Sequence, residues 1–435
     1  MSHQQEHLEE MLKHIEDLMA DEEYNKAIDV LNHALRLDVY EPRVYQRYAF
    51  VLRMVGNSAA AELFEKVVYN PHDAEAYYKV AQSLFKGQQF GAAINPLRKV
   101  VEMIPMATNA IFELGFSYLK EHDFENARAQ FSDAHELQPA INTAFYISYC
   151  SLMQRDVEGA KALIPYMEEE YFKILEAPYL VHVLQEMIAR YEAFPPQDLR
   201  DWHFVQYGQP LLRTSWEDLG QNPEELNGRY VFINYGWLNI ALVLETMKRL
   251  IAEIPSFPQY EYILAVSPKV APIAFAFSEL TGIPLAQKEV LESDMQGLVF
   301  LSWTDEVERT AKHLVNNPNI TTFAFSMGWT LQAPVAPEFI GYLDQASRLP
   351  WEATVEVHEN GERRPRPAMT APVEVIGYHI LDRHEKMDED DLASIEKVVA
   401  YYKERAELLK VGKNANWPRL GFQIESPVQS IRMMI

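Results

Sequence analysis

The sequence predicts an α-solenoid of paired helices followed by an α/β domain with a mostly parallel sheet, a C-terminal hairpin and a final helix. Three observations support this fold class. Alanines that precede apolar helical segments recur in the first half at steps of 34, 32, 34 and 33 residues. After Gly228, short apolar runs alternate with helical segments, the pattern of a parallel sheet covered by helices. After Ala353, alternating residues precede Asn360-Gly361, a pair that favours a two-residue hairpin turn.

The composition argues against several classes of function. The 435 residues include 39 Lys and Arg against 63 Asp and Glu, a net charge of −24, which disfavours nucleic acid and anionic membranes as partners. The single cysteine, Cys150, cannot form an internal disulfide. The N-terminal segment lacks an apolar stretch, and no apolar run is long enough to span a bilayer. We therefore expect a cytoplasmic protein without a signal peptide or membrane anchor.

The repeat is clearest over residues 108–139, where small residues stand at a helix crossing and a proline ends the unit. The positions that define the unit are Ile111, Leu114, Gly115, Tyr118, Ala127, Phe131, Ala134 and Pro139. This pattern resembles the tetratricopeptide repeat, in which each unit is a helix pair and the stacked pairs form a solenoid. We expect residues 1–190 to form four to five such pairs.

The resemblance also implies which side chains line the concave face of the solenoid. An extended peptide or a helix from a protein partner would bind there through aromatic contacts. The alternative is that rings such as Phe112 and Phe116 pack against the C-terminal half of the chain. The predicted groove residues are Glu75, Tyr78, Gln82, Phe85, Lys86, Asn109, Phe112, Phe116 and Lys120.

The second half of the sequence does not continue the helical repeat. Residues 191–228 are irregular and rich in aromatic side chains, which predicts a connector packed on a domain surface. The α/β domain is expected over residues 229–435, with a further strand at Val373–Leu381 and a final amphipathic helix at Leu392–Leu409. The tail from Asn416 onward is expected to dock on the same chain or on a second copy, as in a homodimer. The predicted parallel strands are 230–234, 260–266, 297–302 and 320–325.

Part of this domain has a second resemblance. The run 263–267, an apolar helical segment and Gly282-Ile283-Pro284 are similar to the first strand, loop and helix of type I phosphoribosyltransferases. Residues 337–341 and 350–352 look like late motifs of the purine-type enzymes of that family. The resemblance covers residues 230–352 and implies that the loop after the first of these strands binds pyrophosphate.

The chain departs from that family at its phosphate loop. The family has an acidic pair at the end of its third strand, where this chain has Ser302-Trp303. The following loop, Thr304–Thr310, has no glycine and carries Asp305, Glu306 and Glu308, which would repel a phosphate. Phosphoribosyl transfer is therefore not expected. The candidate ligand-pocket residues at these strand ends are Ser267, Lys269, Ser302, Trp303, Thr304 and Thr310.

No phosphate-binding, dinucleotide-binding, serine-hydrolase or zinc-protease motif occurs in the sequence. We therefore expect no catalytic residue, no cofactor and no metal site. The function that the sequence favours is a non-catalytic adaptor, whose α/β domain is catalytically degenerate and senses a ligand or dimerises. The alternative is a phosphoribosyltransferase-like or nucleotide-handling enzyme with an atypical phosphate loop.

Overall fold

A computed structural model gives the fold of the chain, which divides into two compact units. One unit ends at Ile188 and the other begins at Ala189. The residues that the structure describes are 3–37, 40–170, 177–214, 217–218, 232–286, 294–304, 306–307, 309–310, 317–328, 333, 335–344, 346–357 and 363–411.

The first unit is a repeat of paired helices, as the sequence predicts. In the fifth pair, two short helices take the place of one long second helix. The helix that follows continues across the boundary into the second unit. The helices are α1 (His3–Ala20), α2 (Tyr24–Arg36), α3 (Pro42–Met54), α4 (Ser58–Tyr69), α5 (Ala74–Lys86), α6 (Phe90–Met103), α7 (Thr108–Lys120), α8 (Phe124–Leu137), α9 (Ile141–Met153), α10 (Val157–Lys161), α11 (Ile164–Glu170) and α12 (Ala177–Ala193).

Small residues let the helices of each pair approach closely. The five recurring alanines, Ala27, Ala61, Ala93, Ala127 and Ala160, are each 0% exposed. At Gly115 of α7, an added Cβ would lie 3.0 Å from Cδ1 of Phe131 on α8. Helix starts are fixed locally, since the Asp73 and Asp123 side chains accept backbone N–H bonds at the first turns of α5 and α8. The repeat of helix pairs is therefore confirmed.

The stacking departs from a simple solenoid at its N-terminal end, because α2 packs against α6. The Asn95 side chain on α6 donates to the backbone carbonyl oxygen of Leu35 at 2.7 Å and also to that of Leu37. Arg36, the last residue of α2, forms an ion pair with Glu121 just after α7, with 3.2 Å between Nη1 and Oε2. In a linear repeat each unit contacts only its neighbours, whereas here the first and third pairs are in direct contact.

The second unit contains a parallel sheet with helices on its faces, and three of the four predicted strands belong to it. The predicted strand 230–234 instead pairs in parallel with Ala346–Arg348 in a separate two-stranded sheet. The sequence analysis did not predict the strand β5, which follows a proline-rich stretch. The strands are β1 (Phe232–Asn234), β2 (Tyr262–Ala265), β3 (Gly297–Leu301), β4 (Ile320–Gly328), β5 (Phe339–Asp344), β6 (Ala346–Arg348), β7 (Thr354–Val357) and β8 (Arg363–Arg366). The helices are α13 (Leu199–Tyr207), α14 (Trp237–Glu253), α15 (Ala271–Thr281), α16 (Val373–Glu385) and α17 (Glu389–Glu404).

The main sheet has the order β2-β3-β4-β5, and all its pairs are parallel. Backbone bridges extend it at both edges, where Leu285 pairs with Ile263 of β2 and Leu211 pairs with Ile340 of β5. After β2 the chain first forms the Leu285 bridge along one side of β2 and then returns as β3 along the other side of β2. The strand order therefore reverses between β2 and β3, and ligands of open α/β sheets bind at such a switch point.

The prediction of a strand at Val373–Leu381 is wrong, because this segment forms α16. Its β-branched residues suggested a strand, but Ile376 and Ile380, one helical turn apart, are the buried positions. An added Cβ at Gly377 would lie 2.3 Å from Cδ1 of Phe275, so α16 packs closely on α15. Hence the apolar period is that of a helix. The antiparallel pair β7–β8 is present, whereas Asn360-Gly361 lies outside the described residues.

Residues 199–213 are built into the second unit rather than lying on its surface. Trp202 and Phe204 of α13 are fully buried, and the backbone N–H of Leu212 donates to the carbonyl oxygen of Ile340 at 2.8 Å. The Tyr402 hydroxyl donates to the Leu211 carbonyl oxygen at 2.9 Å. The aromatic residues that indicated a packed connector thus belong to the core.

Replacing Gly115 with valine should destabilise the first unit. The added side chain would overlap the Phe131 ring, and overpacking of this kind costs about 1–3 kcal/mol. Gly87→Val is the matched control, since its Cβ would meet no atom closer than 3.4 Å. Urea unfolding followed by circular dichroism measures both variants. Equal losses for the two variants would contradict close packing at the α7–α8 crossing.

His203 should make the second unit sensitive to mild acid. The side chain is fully buried, and burial lowers the pKa of His203 to about 3 from an ordinary value of 6.5. Below about pH 6.5 the unfolded chain binds a proton that the folded chain does not, so stability present above that pH is lost as the pH falls. Between about pH 8 and about pH 5 this amounts to about 2 kcal/mol. His203→Phe should remove that part of the pH dependence, which urea unfolding across this range measures.

Candidate functional site

The first helices of the third, fourth and fifth pairs, α5, α7 and α9, carry a row of aromatic rings. Ring centroids lie 5.6 Å apart for Phe85 and Phe116, 5.8 Å for Phe116 and Tyr146, and 5.9 Å for Phe112 and Tyr146. All four rings are partly exposed, and tilted or edge-to-face pairs of this kind are favourable. We call Phe85, Phe112, Phe116 and Tyr146 the aromatic row.

A cleft of about 500 Å³ is lined by residues of α5, α6 and α7, by residues of the α6–α7 turn and by Gln138. Three predicted groove residues, Glu75, Tyr78 and Asn109, line it together with Val100 and Ile104. Apolar walls with a few polar groups are typical of sites that take a bulky side chain or a small ligand. The cleft is therefore a candidate anchor site for a partner.

The charges around the row have both signs. The Tyr78 hydroxyl donates to Oε1 of Glu113 at 3.0 Å, and burial raises the pKa of Glu113. The Lys120 ammonium nitrogen lies 4.8 Å from the centre of the Phe116 ring, a cation–π contact. Lys86 is exposed. This face therefore combines apolar rings with isolated charges of both signs, and its electrostatic potential is not of one sign.

The nine predicted groove residues fall on two helices, α5 and α7. Glu75, Tyr78 and Asn109 line the cleft, and Phe85, Phe112 and Phe116 belong to the aromatic row. Gln82, Lys86 and Lys120 belong to neither. The prediction missed Phe50 and Met54 on α3, which are 45% and 50% exposed. Phe50 precedes Gln82 by 32 residues, the step from Ala61 to Ala93. The repeat register was thus the signal that would have found it.

The candidate ligand pocket of the α/β unit lies at the switch point, and a carboxylate of the chain occupies it. Glu306 follows β3 and is 4% exposed. Its Oε2 accepts the backbone N–H of Ser302 at 2.5 Å, and its Oε1 accepts the hydroxyl of Ser267, which follows β2. One side chain therefore joins the carboxyl ends of the two strands that flank the reversal.

The remaining predicted pocket residues are also engaged within the chain. The Lys269 ammonium lies 3.1 Å from Oε1 of Glu352. The Thr304 hydroxyl oxygen accepts the backbone N–H of Gly328 at 2.8 Å. The Thr310 hydroxyl donates to the carbonyl oxygen of Glu306 at 2.6 Å. Lys269 and Thr310 therefore bind groups of the same chain and are not left as donors for a phosphate.

Trp303 takes part in a second polar cluster at the same edge of the sheet, centred on Asp344 at the end of β5. Asp344 is 0% exposed and accepts bonds from the Trp303 indole N–H at 3.1 Å and the Tyr235 hydroxyl at 2.9 Å. Burial raises the pKa of Asp344, while hydrogen bonds from Trp303, Ser347, Tyr235 and Ser326 oppose the rise. The enclosed carboxyl group holds neighbouring strand ends together and has no access to a substrate.

Within the part of the chain that the structure describes, no group of three or more His, Cys, Asp or Glu side chains has the arrangement of a metal site. No helix there combines the length and apolar character that crossing a bilayer requires.

Comparison with solved structures gives matches for the helical repeat. MamA from AMB-1 is 18% identical, with 45% of this chain and 98% of that chain covered and a TM-score of 0.25. MamA from Desulfovibrio magneticus RS-1 is 18% identical over 39% of this chain and 94% of its own, with a TM-score of 0.24. A thermophilic TPR protein from Thermus thermophilus is 16% identical over 41% and 98%, with a TM-score of 0.25. No protein-family model and no curated protein matches the sequence.

Trp303→Phe should destabilise the second unit, because it leaves the buried Asp344 carboxyl with one donor fewer. Loss of one partner of a buried polar group costs about 1–3 kcal/mol. Trp237→Phe is a matched control, since Trp237 packs beside Trp351 with centroids 5.8 Å apart and is not a donor to Asp344. Urea unfolding of the full chain compares the two. A smaller loss for Trp303→Phe than for Trp237→Phe would contradict this role of the indole N–H.

Proposed function

We propose that this protein is a non-catalytic adaptor that binds a segment of a partner protein on the face formed by α5, α7 and α9. The bound segment places a bulky apolar side chain in the cleft beside Tyr78 and lies over the exposed edges of the aromatic row. The tetratricopeptide-like repeat supports this proposal, because helical repeats use extended surfaces of this kind to hold peptides and helices.

The cleft is the observation that carries the proposal. It combines about 500 Å³ of space with apolar walls and with three residues, Glu75, Tyr78 and Asn109, that the repeat register places on the binding face. The adjacent rings offer a large contact area at a low cost in side-chain entropy. Aromatic anchors of this type carry most of the binding energy in protein interfaces.

For the α/β unit we propose that no phosphoribosyl transfer takes place. The contacts of Ser267, Lys269 and Thr310 support this, since each of these side chains is bound to a group of the same chain. The fully enclosed Asp344 carboxyl also argues against an acid–base role, because a general acid must reach its substrate. The unit would then serve as a stable folded partner of the repeat.

Asn109→Trp should abolish binding while leaving the fold intact. Asn109 is exposed and lines the cleft, so the indole would fill the space without entering the core. The probe is a phage-displayed random dodecapeptide library selected on the full-length protein. Peptides with a bulky apolar residue should be enriched on the wild-type protein and lost on Asn109→Trp. Deep sequencing of the selected pools measures the enrichment.

Asn126→Trp is the matched control, because Asn126 is exposed on α8 and does not line the cleft. It should bind the same peptides as the wild-type protein, and the thermal midpoint of each variant checks folding. Equal enrichment on Asn109→Trp and wild type would rule out the cleft as the anchor site. Absence of any enrichment on the wild-type protein would contradict the adaptor proposal itself.

A further inference from the structure

The switch point of the α/β sheet contains an anion that belongs to the chain. The Glu306 carboxylate accepts one backbone N–H, from Ser302, and one hydroxyl, from Ser267. These donors follow β3 and β2, the two strands between which the strand order reverses. In open α/β sheets this crevice is the place where a ligand binds, and donors of this type hold carboxylate and phosphate groups.

A second observation at the same place points to a ligand. Ser302 is 2% exposed, and its hydroxyl has no hydrogen-bond partner among the described residues. A buried polar group without a partner is costly. The Glu306 carboxylate, which binds the backbone N–H of the same residue, therefore leaves the Ser302 hydroxyl unused.

A second buried carboxylate with similar donors lies away from the switch point, at the amino ends of the strands. Glu338 precedes β5, is 1% exposed and accepts the backbone N–H and the hydroxyl of Thr322. The Thr322 hydroxyl oxygen in turn accepts the backbone N–H of Glu338 at 3.2 Å. Because Glu338 binds one backbone N–H and one hydroxyl, as Glu306 does, it is a matched reference for Glu306.

We infer that the switch-point crevice is a small-anion site whose resident anion is the Glu306 carboxylate, and that this tethered group excludes free carboxylate or phosphate ligands from the folded protein. The tether makes the effective concentration of the internal anion far higher than that of a dissolved competitor. Removal of the side chain would leave the Ser302 N–H, the Ser302 hydroxyl and the Ser267 hydroxyl as donors for a dissolved anion. This inference concerns the α/β unit and does not depend on the proposed binding face of the repeat.

The test is chemical rescue of the full-length variant Glu306→Ala by acetate, the anion that matches the deleted group. Thermal unfolding is compared in sodium acetate and in sodium chloride of equal concentration and pH. The thermal midpoint of Glu306→Ala should lie below that of the wild type in chloride. Acetate at about ten times its dissociation constant should raise it by about 3 °C. Inorganic phosphate and acetate should raise the wild-type midpoint no more than they raise that of Glu338→Ala, which reports the general effect of these salts.

Two further variants separate a specific site from a general salt effect. Glu338→Ala should lose stability without the same recovery in acetate. Its donors belong to Thr322, which lies away from the switch point. Glu306→Gln should not respond to acetate either, since its side chain still fills the crevice. If Glu306→Ala does not fold in chloride, the recovery of its far-ultraviolet circular dichroism in acetate is the readout.

Three results would overturn the inference. A wild-type midpoint that rises in phosphate or acetate by more than that of Glu338→Ala would show that the crevice accepts a free anion. Equal recovery of Glu306→Ala and Glu338→Ala in acetate would show a general salt effect. Absence of any recovery of Glu306→Ala, in midpoint or in folding, would show that the carboxylate does not occupy an anion site.

Discussion

A parallel sheet places the carboxyl ends of all its strands at one edge, and the polar groups at that edge need hydrogen-bond partners once they are buried. In this chain two side-chain carboxylates of the same unit supply them. Glu306 binds the groups that follow β2 and β3, and Asp344 binds groups from other segments near the end of β5. In an α/β enzyme a substrate or cofactor interacts with this edge. In the described part of this edge, Glu306 and Asp344 make such contacts from within the chain.

The repeat shows the opposite arrangement. Its small residues are fully buried at the helix crossings, which forces the helices together, whereas its aromatic row and the exposed Phe50 and Met54 stay at the surface. Exposed apolar groups cost little individually but gain free energy when a partner covers them. Several polar groups at the sheet edge are paired internally, while apolar groups on the repeat face are left partly uncovered.

Sequence patterns predicted the features that depend on a period. The alanine register identified the helix pairs, and apolar runs identified β1 to β4, because both signals recur along the chain. Prediction failed where packing between distant segments decides the structure. Val373–Glu385 forms a helix whose buried Ile376, Gly377 and Ile380 pack against other helices, although its β-branched residues favoured a strand. For the candidate pocket, the acidic loop indicated a poor phosphate site, but that Glu306 itself binds Ser267, 39 residues away, required the fold.

The contact between α2 and α6 bears on how the repeat can hold a partner. In a linear array each pair opens independently, and the curvature of the face varies with every interface. Here the Asn95 bonds to the end of α2 and the Arg36–Glu121 ion pair connect the first pair to helices of the third and fourth pairs. Bending the array between these pairs would break the Asn95 hydrogen bonds and the Arg36–Glu121 ion pair as well as the contacts between neighbouring pairs. These contacts hold the face formed by α5 and α7 in one shape, and under the proposed function this lowers the ordering cost of binding a partner.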